Sequence, residues 1–182
     1  MIRAIASTLV LASCLFAIPP VPRKAPDFTF DLPNGQKISL SSYKGKVVLL
    51  DFVFTTCPHC QHSCSIINQL YAQYGPQGFQ PLAVAWNEEA KGLVPGFVSM
   101  LGLNFPVGYT DRAGALGYLG ISMMERSVVP QMIWIDRKGV IRAQTPATGD
   151  ESMLTEGFYR QEITTLLAEK DTTTSVHRTA KH

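Results

Sequence analysis

Charged residues are scarce in the 182-residue sequence, and the two signs nearly cancel. They make up 16% of the chain, with 16 lysines and arginines against 14 aspartates and glutamates. A protein that binds nucleic acid through electrostatics carries a basic stripe, so this balance excludes that class. Cysteine is equally rare: there are four, and three of them fall between residues 57 and 64. Such a cluster excludes a scaffold held together by distant disulfides and indicates a chemical role.

The apolar content is high enough for a folded core. Hydrophobic residues make up 46% of the chain, which excludes a protein that is disordered overall. The length suits one domain with appendages, and no internal repeat is visible. We predict an export segment over residues 1–25, one domain over 26–169 and a flexible polar tail over 170–182.

The N-terminus has the pattern of an export signal. Arg3 precedes an apolar run over residues 4–18, which is shorter than the ~20 residues needed to cross a bilayer and matches a signal-peptide core. Leu11-Ala12-Ser13-Cys14 is similar to the bacterial lipobox, which makes Cys14 a lipidation candidate. Alternatively the signal is cleaved and Cys14 is only a small apolar residue. Both interpretations predict a periplasmic or cell-envelope protein. Only the first attaches it to the membrane, through an N-terminal lipid anchor on Cys14.

The rest of the chain alternates between strand-like and helix-like segments, which predicts an α/β fold. Residues 46–54 form a nearly continuous apolar run, typical of a central strand covered on both faces. Asn34-Gly35 lies between two short strand-like segments and predicts an N-terminal β-hairpin. The predicted strands span residues 28–30, 37–40, 46–54, 79–86, 105–109, 132–136 and 140–144. The predicted helices span residues 58–74, 90–101, 113–118 and 151–168, the second being short or broken because it contains Pro95.

A C-x-x-C motif, Cys57-Pro58-His59-Cys60, lies where the central strand leads into the first helix. Such a junction predicts redox chemistry, because the free N–H groups at a helix N-terminus favour a thiolate at the first cysteine. The second cysteine lies one turn inside the helix, within reach for a disulfide. Pro58 suits the first turn, where no N–H partner is needed. The alternative, half of a four-cysteine zinc site, lacks a second C-x-x-C.

The motifs together resemble the TlpA/ResA-like redoxin branch of the thioredoxin superfamily, with its AhpC/TSA-type domain. The resemblance spans roughly residues 25–168. The segments that carry it are Ala25-Pro26-Asp27-Phe28, Asn34-Gly35, Leu40-Ser41-Ser42-Tyr43-Lys44-Gly45-Lys46, the C-x-x-C motif, and Val129-Pro130-Gln131-Met132-Ile133-Trp134-Ile135-Asp136 with Gly139. It implies a thioredoxin-like fold, with a central mixed β-sheet flanked by helices.

The resemblance also implies an activity and a partner class. A redoxin of this branch is a thiol–disulfide oxidoreductase that exchanges disulfides with cell-envelope proteins and needs no dissociable cofactor and no metal. Cys57 forms the mixed disulfide and Cys60 resolves it. Pro130 is implied to be cis and to leave the backbone at Val129 free to bind a substrate strand. Thr56 stands where the family often has tryptophan, so the substrate-binding surface around the thiol differs. We expect a monomer.

Two further residues are candidates for the core beneath the cysteine pair. Asp51 lies six residues before Cys57 among apolar neighbours, as the buried aspartate of thioredoxin does. We expect a buried carboxylate that accepts the proton of the second cysteine; a hydrogen-bonded edge-strand residue is the alternative. Cys64 lies one helical turn beyond Cys60 on the same face. We expect a buried, inert thiol there, with a backup resolving thiol or a metal ligand as alternatives.

The dipeptide Pro58-His59 between the cysteines is the one found in the thiol oxidase DsbA. A histidine beside the thiolate stabilises the reduced state and makes the disulfide a stronger oxidant. On this basis, replacing His59 should lower the reduction potential by several tens of millivolts. Alternatively His59 is a solvated turn residue.

Two other classes of protein use similar cysteines. A peroxiredoxin-type peroxidase has threonine three positions and proline seven positions before its cysteine, where this chain has Phe54 and Leu50. A Sco-type copper-binding assembly factor has C-x-x-x-C plus a distant histidine. Cys60-Gln61-His62-Ser63-Cys64 has that spacing and suits copper. However, no histidine follows His62 before His177.

Overall fold

The structure is a computed structural model, and it describes residues 18–169. The strands are β1 (Arg23–Lys24), β2 (Thr29–Asp31), β3 (Lys37–Ser39), β4 (Val47–Val53), β5 (Phe79–Ala85), β6 (Val107–Tyr109), β7 (Gln131–Ile135) and β8 (Val140–Gln144). The helices are α1 (Pro58–Tyr74), α2 (Ala90–Leu101), α3 (Arg112–Leu119) and α4 (Glu156–Ala168). Short 3₁₀ turns occupy Leu40–Tyr43, Gly75–Gln77 and Glu151–Leu154. The lipidation candidate Cys14 and the tail over 170–182 lie outside the described residues.

One mixed sheet forms the centre of the domain. Its strand order is β1-β8-β7-β4-β5-β6-β2-β3. Strand β4 pairs parallel with β5 and antiparallel with β7, and every residue of β4 and β5 is buried. The nearly continuous apolar run of the sequence, interrupted only by Asp51, therefore forms the predicted central strand, because a strand covered on both faces buries apolar side chains on both sides. The thioredoxin-like α/β fold is confirmed.

The alternation of side chains along β4 divides the core into two layers. Val47, Leu49 and Val53 pack on one face with residues of α1, α2 and α4. Val48, Leu50 and Phe52 pack on the other face with α3 and with the N-terminal hairpin β2–β3. Asp51 has the parity of the first group, so it faces the layer that contains α1 and α4.

The N-terminal boundary of the domain differs from the prediction. Arg23 and Lys24, which fall in the stretch assigned to the export segment, form strand β1 and pair with Ile141 and Val140 of β8. The domain therefore begins before residue 26. A two-residue strand is too short to show an alternating hydrophobic pattern. The sequence therefore cannot predict this edge strand, which forms only because it pairs with β8.

Helix α2 has its predicted bounds, and the last helix differs from the prediction. Helix α2 is continuous over twelve residues although Pro95 lies inside it. The predicted helix over 151–168 is divided, because the Thr155 side chain caps α4 by accepting a hydrogen bond from the Phe158 N–H after a separate 3₁₀ turn. No helix within residues 18–169 is long and apolar enough to cross a membrane.

Candidate active site

Cys57 lies at the boundary between β4 and α1. It is the N-cap residue of α1 with an extended backbone (φ −85°, ψ 120°), and Pro58 is the first helical residue. The Cys57 N–H donates to the Phe54 carbonyl (3.1 Å), which closes a tight turn out of the strand. Its side chain is half-buried and packs partly against the core. A thiolate in this place faces the free N–H groups of the helix.

Cys60 and Cys64 follow on the buried face of α1, and both have no exposed surface. Cys57, Cys60 and Cys64 are all free thiols in this structure. Burial raises the pKa of Cys60 far above its ordinary value, and the negative charge of Asp51 raises it further. Cys57 is therefore the more accessible of the two thiols, and the raised pKa keeps Cys60 protonated near neutral pH.

Asp51 is buried beneath the cysteines, with a relative exposure of 2%. The Cys64 thiol donates to its Oδ2 (Sγ to Oδ2, 3.8 Å), while its Oδ1 has no partner among the described residues. Burial raises the pKa of Asp51 to about 8, although the hydrogen bond from Cys64 opposes the shift. A carboxyl group with this pKa exchanges its proton near neutral pH, as a proton acceptor must.

The remaining predicted residues lie around the same end of β4. The Val129–Pro130 peptide bond is cis, as the family resemblance implies. Because Phe52 of β4 is paired with Gln131 of β7, Pro130 lies where β4 ends and the segment to Cys57 begins. Val129 is half-buried, whereas Thr56, Pro58 and His59 are exposed.

The sequence did not identify the residues that hold the segment before Cys57. The side chain of Asn87 accepts from the Thr55 N–H (3.0 Å) and hydroxyl (3.3 Å), and Gln61 donates to the Thr55 carbonyl (2.9 Å). Asn87 follows β5, and carboxyl ends of adjacent parallel strands meet at one edge of the sheet. The position of Asn87 just after a predicted strand parallel to β4 was therefore the sequence feature that could have identified it.

Aromatic side chains support the same segment. Phe54 packs edge-on against Trp86 with ring centroids 4.6 Å apart. The Arg112 guanidinium lies over the Trp86 ring at 5.5 Å. On the other side, Gln131 is fully buried and donates to the carbonyl oxygens of Pro146 (2.9 Å) and Ala147 (3.3 Å). These contacts fix the loops on both sides of Cys57.

The histidines near the motif do not converge on the cysteines to form a metal site. His62 is exposed on α1, whereas Cys60 and Cys64 point into the core. Over residues 18–169, no group of three or more His, Cys, Asp or Glu side chains is arranged to hold a metal ion. His177, the next histidine along the chain, lies outside these residues.

Comparison with known proteins identifies relatives with the same architecture. Residues 20–157 match the family model of Redoxin. The thiol-disulfide oxidoreductase ResA of Bacillus subtilis (strain 168) is 33% identical over 131 residues, which cover 71% of this chain and 69% of that protein. ResA of Bacillus anthracis is 30% identical over 139 residues, which cover 76% of each chain.

Solved structures agree with the sequence relatives. A protein from Chlorobium tepidum assigned as the thiol:disulfide interchange protein DsbE superimposes with a TM-score of 0.66 at 28% identity, covering 80% of this chain and 96% of that one. A protein from Neisseria meningitidis assigned as a thioredoxin superimposes with a TM-score of 0.63 at 30% identity, covering 81% and 91%. With the C-x-x-C motif at the start of α1, these findings show that the chain is a thiol–disulfide oxidoreductase that belongs to the Redoxin family of the thioredoxin superfamily.

Proposed function

We propose that the chain exchanges disulfides with partner proteins through Cys57 and Cys60. The observation that carries this proposal is the contrast between the two sulfurs. Cys57 is accessible at the N-terminus of α1, whereas Cys60 is fully buried one turn further on. A half-buried sulfur accepts a partner, and a buried sulfur resolves the product without reacting with solvent oxidants.

The proposed cycle begins with the reduced chain. The Cys57 thiolate attacks a partner disulfide, which forms a mixed disulfide and releases one partner thiolate. The Cys60 sulfur then attacks Cys57 and releases the second partner thiolate, while Asp51 takes the Cys60 proton. The chain loses two electrons and the partner gains two. The reverse sequence oxidises a partner dithiol, and neither direction uses a dissociable cofactor or a metal.

Thr56, Val129 and Pro130 form the proposed docking surface beside Cys57. The family resemblance implies that the backbone at Val129 stays free, so that it can pair with an extended partner segment. In the segment between α3 and Val129, Met123 and Met124 are 53% and 94% exposed, and we propose that they add apolar contact area. Methionine side chains are flexible and suit partners of varied shape.

The proposed location is the periplasm or cell envelope, because residues 1–25 contain the export pattern and Cys14 is a candidate for lipidation. We propose that the redoxin domain acts as a monomer outside the cytoplasm and that residues 170–182 form a polar tail. Oxidising compartments are where dithiol–disulfide exchange with secreted proteins takes place.

The Cys60→Ser variant tests partner exchange. Cys57 still attacks, but no sulfur remains to resolve the product, so covalent complexes with envelope proteins should accumulate and disappear on reduction. Non-reducing gels of envelope extracts measure them. The matched control carries Cys57→Ser as well and should trap nothing. A folded Cys60→Ser chain that traps no more than this control rules out the proposed exchange.

His59→Ala tests how far the motif sets the reduction potential. The sequence suggested a fall of several tens of millivolts, but His59 is exposed and solvent screens its charge. Exposed charge pairs contribute well below 1 kcal/mol, so the potential should fall by about 20 mV or less. Equilibration in glutathione buffers measures it, with His62→Ala as a control that should not change. A fall above about 50 mV would show that His59 acts directly on the thiolate.

A further inference from the structure

Cys64 and Asp51 form a buried polar pair, and Cys64 takes no part in the proposed exchange between Cys57 and Cys60. It follows Cys60 by one turn of α1, has no exposed surface, and its thiol donates to Asp51 Oδ2. A sulfur so deeply buried is inaccessible to a partner. Among residues 18–169 the one polar contact of its side chain is with Asp51, the carboxyl group whose charge also acts on Cys60.

The hydrogen bond from Cys64 matters for the Asp51 carboxylate because the described residues around that carboxylate supply no cation and no other donor. Its neighbours on the adjacent strands are Ala83 of β5 and Met132 of β7, which carry no charge. The titratable groups that act on it from the helices are Cys60 and Cys64 of α1 and Tyr159 of α4. No cation pairs with the carboxylate among residues 18–169, and the Cys64 thiol is its one hydrogen-bond donor there.

We propose that Cys64 is a positioning residue, which holds the Asp51 carboxyl by a hydrogen bond and sets the pH range in which that carboxylate takes the proton of Cys60. This inference rests on the proposed exchange cycle. Because Cys64 occupies Oδ2, the unpartnered Oδ1 is the oxygen that receives the proton. In the forward step the proton moves from Cys60 to Asp51 as the Cys57–Cys60 bond forms, and it returns when the disulfide is reduced.

The direction of the effect follows from the two forms of the carboxyl group. A hydrogen bond donated by Cys64 stabilises the carboxylate more strongly than the protonated acid, so it keeps Asp51 a usable base near neutral pH. Without that donor the carboxylate would be more costly to form in the same apolar surroundings, and its ionised fraction at pH 7 would fall. A hydroxyl group is a stronger donor than a thiol and should preserve the effect.

The test is a titration of the Asp51 side-chain carboxyl carbon by ¹³C NMR in the full chain, kept reduced. Cys64→Ala removes the donor and should move the titration midpoint up by about one pH unit, a tenfold loss of carboxylate at pH 7. Cys64→Ser should restore the wild-type midpoint or lower it. Cys64→Val also lacks a donor but fills more of the space than alanine, and it should shift the midpoint as Cys64→Ala does. It serves as the second variant if Cys64→Ala destabilises the core.

The kinetic readout is the release of a mixed disulfide formed on Cys57, followed against pH by stopped flow. With alanine or valine at position 64, release at pH 7 should slow by about tenfold and its pH profile should shift with the NMR midpoint. If the NMR midpoints do not change, or if Cys64→Ser, Cys64→Ala and Cys64→Val shift them equally, the hydrogen bond has no effect on Asp51 and Cys64 only fills space in the core. If the midpoints shift but the release rate does not, Asp51 does not take the proton of Cys60 and the proposal is wrong. The exchange cycle itself is tested separately, by the trapping experiment with Cys60→Ser.

Discussion

Replacing Cys57 by serine should lower the rate of thiol–disulfide exchange by roughly a thousandfold or more, as loss of the nucleophile does in covalent catalysis. A serine hydroxyl is not ionised near neutral pH and forms no disulfide. Cys60 cannot take over the attack, because it is fully buried and burial holds its pKa far above the ordinary value. The measurement is the turnover of a model disulfide substrate under a thiol reductant.

The control for this variant is its stability in reducing buffer. Because Cys57 is half-buried at a helix end and its side chain makes no capping hydrogen bond, serine should leave the free energy of unfolding within about 1 kcal/mol of the wild type. Exchange that persists in a normally folded Cys57→Ser chain would show that another thiol makes the first attack.

Replacing Asp51 by asparagine should stabilise the reduced chain by about 5 kcal/mol at pH 8 and by almost nothing at pH 4. The pKa of the folded carboxyl is raised from an ordinary 3.8 to about 8 by burial. Well below pH 4 both folded and unfolded chains hold the proton, and at pH 4 the difference is still under about 1 kcal/mol. As the pH rises toward 8, the unfolded chain releases its proton while the folded chain keeps it, so the wild type loses about 1.4 kcal/mol of stability per pH unit. Asparagine carries no such penalty.

Denaturant unfolding at several pH values between 4 and 8 measures this difference. Asp136→Asn is the matched control, because Asp136 is also buried but accepts hydrogen bonds from the Lys138 and Val140 N–H groups and pairs with Arg142. Breaking those contacts should destabilise the chain by about 1–3 kcal/mol. A pH-independent effect of Asp51→Asn would mean that the carboxyl is not desolvated in the folded chain.

The sequence predicts the centre of this fold better than its edges. Strand β4 is buried on both faces, so all its residues except Asp51 are apolar, and this composition is enough to predict its position. Strand β1 is two residues long and depends on β8 for its hydrogen bonds, so its own sequence contains no signal. The start of α4 depends on one cap, Thr155, within a segment whose composition favours helix on both sides.

The same division applies to the candidate site. The cysteines and the buried Asp51 follow from local patterns, because a strand-to-helix junction and a row of apolar neighbours can be read along the chain. The support from Asn87 and Gln131 joins segments far apart in sequence. The contact between Cys64 and Asp51 requires knowing how α1 lies across β4, and only the folded chain establishes that.

The most direct test of the redox pair is to map the disulfide by mass spectrometry after mild oxidation of the full chain. We predict a reversible bridge between Cys57 and Cys60, with Cys64 recovered as a free thiol because it lies in the core against Asp51. Helical residues four apart have Cβ atoms about 5–6 Å apart, beyond the ~3.5–4.5 Å of a disulfide, so a Cys60–Cys64 bridge would require α1 to deform. Finding Cys60–Cys64 as the dominant bridge would contradict the assignment of Cys57 and Cys60 as the exchanging pair.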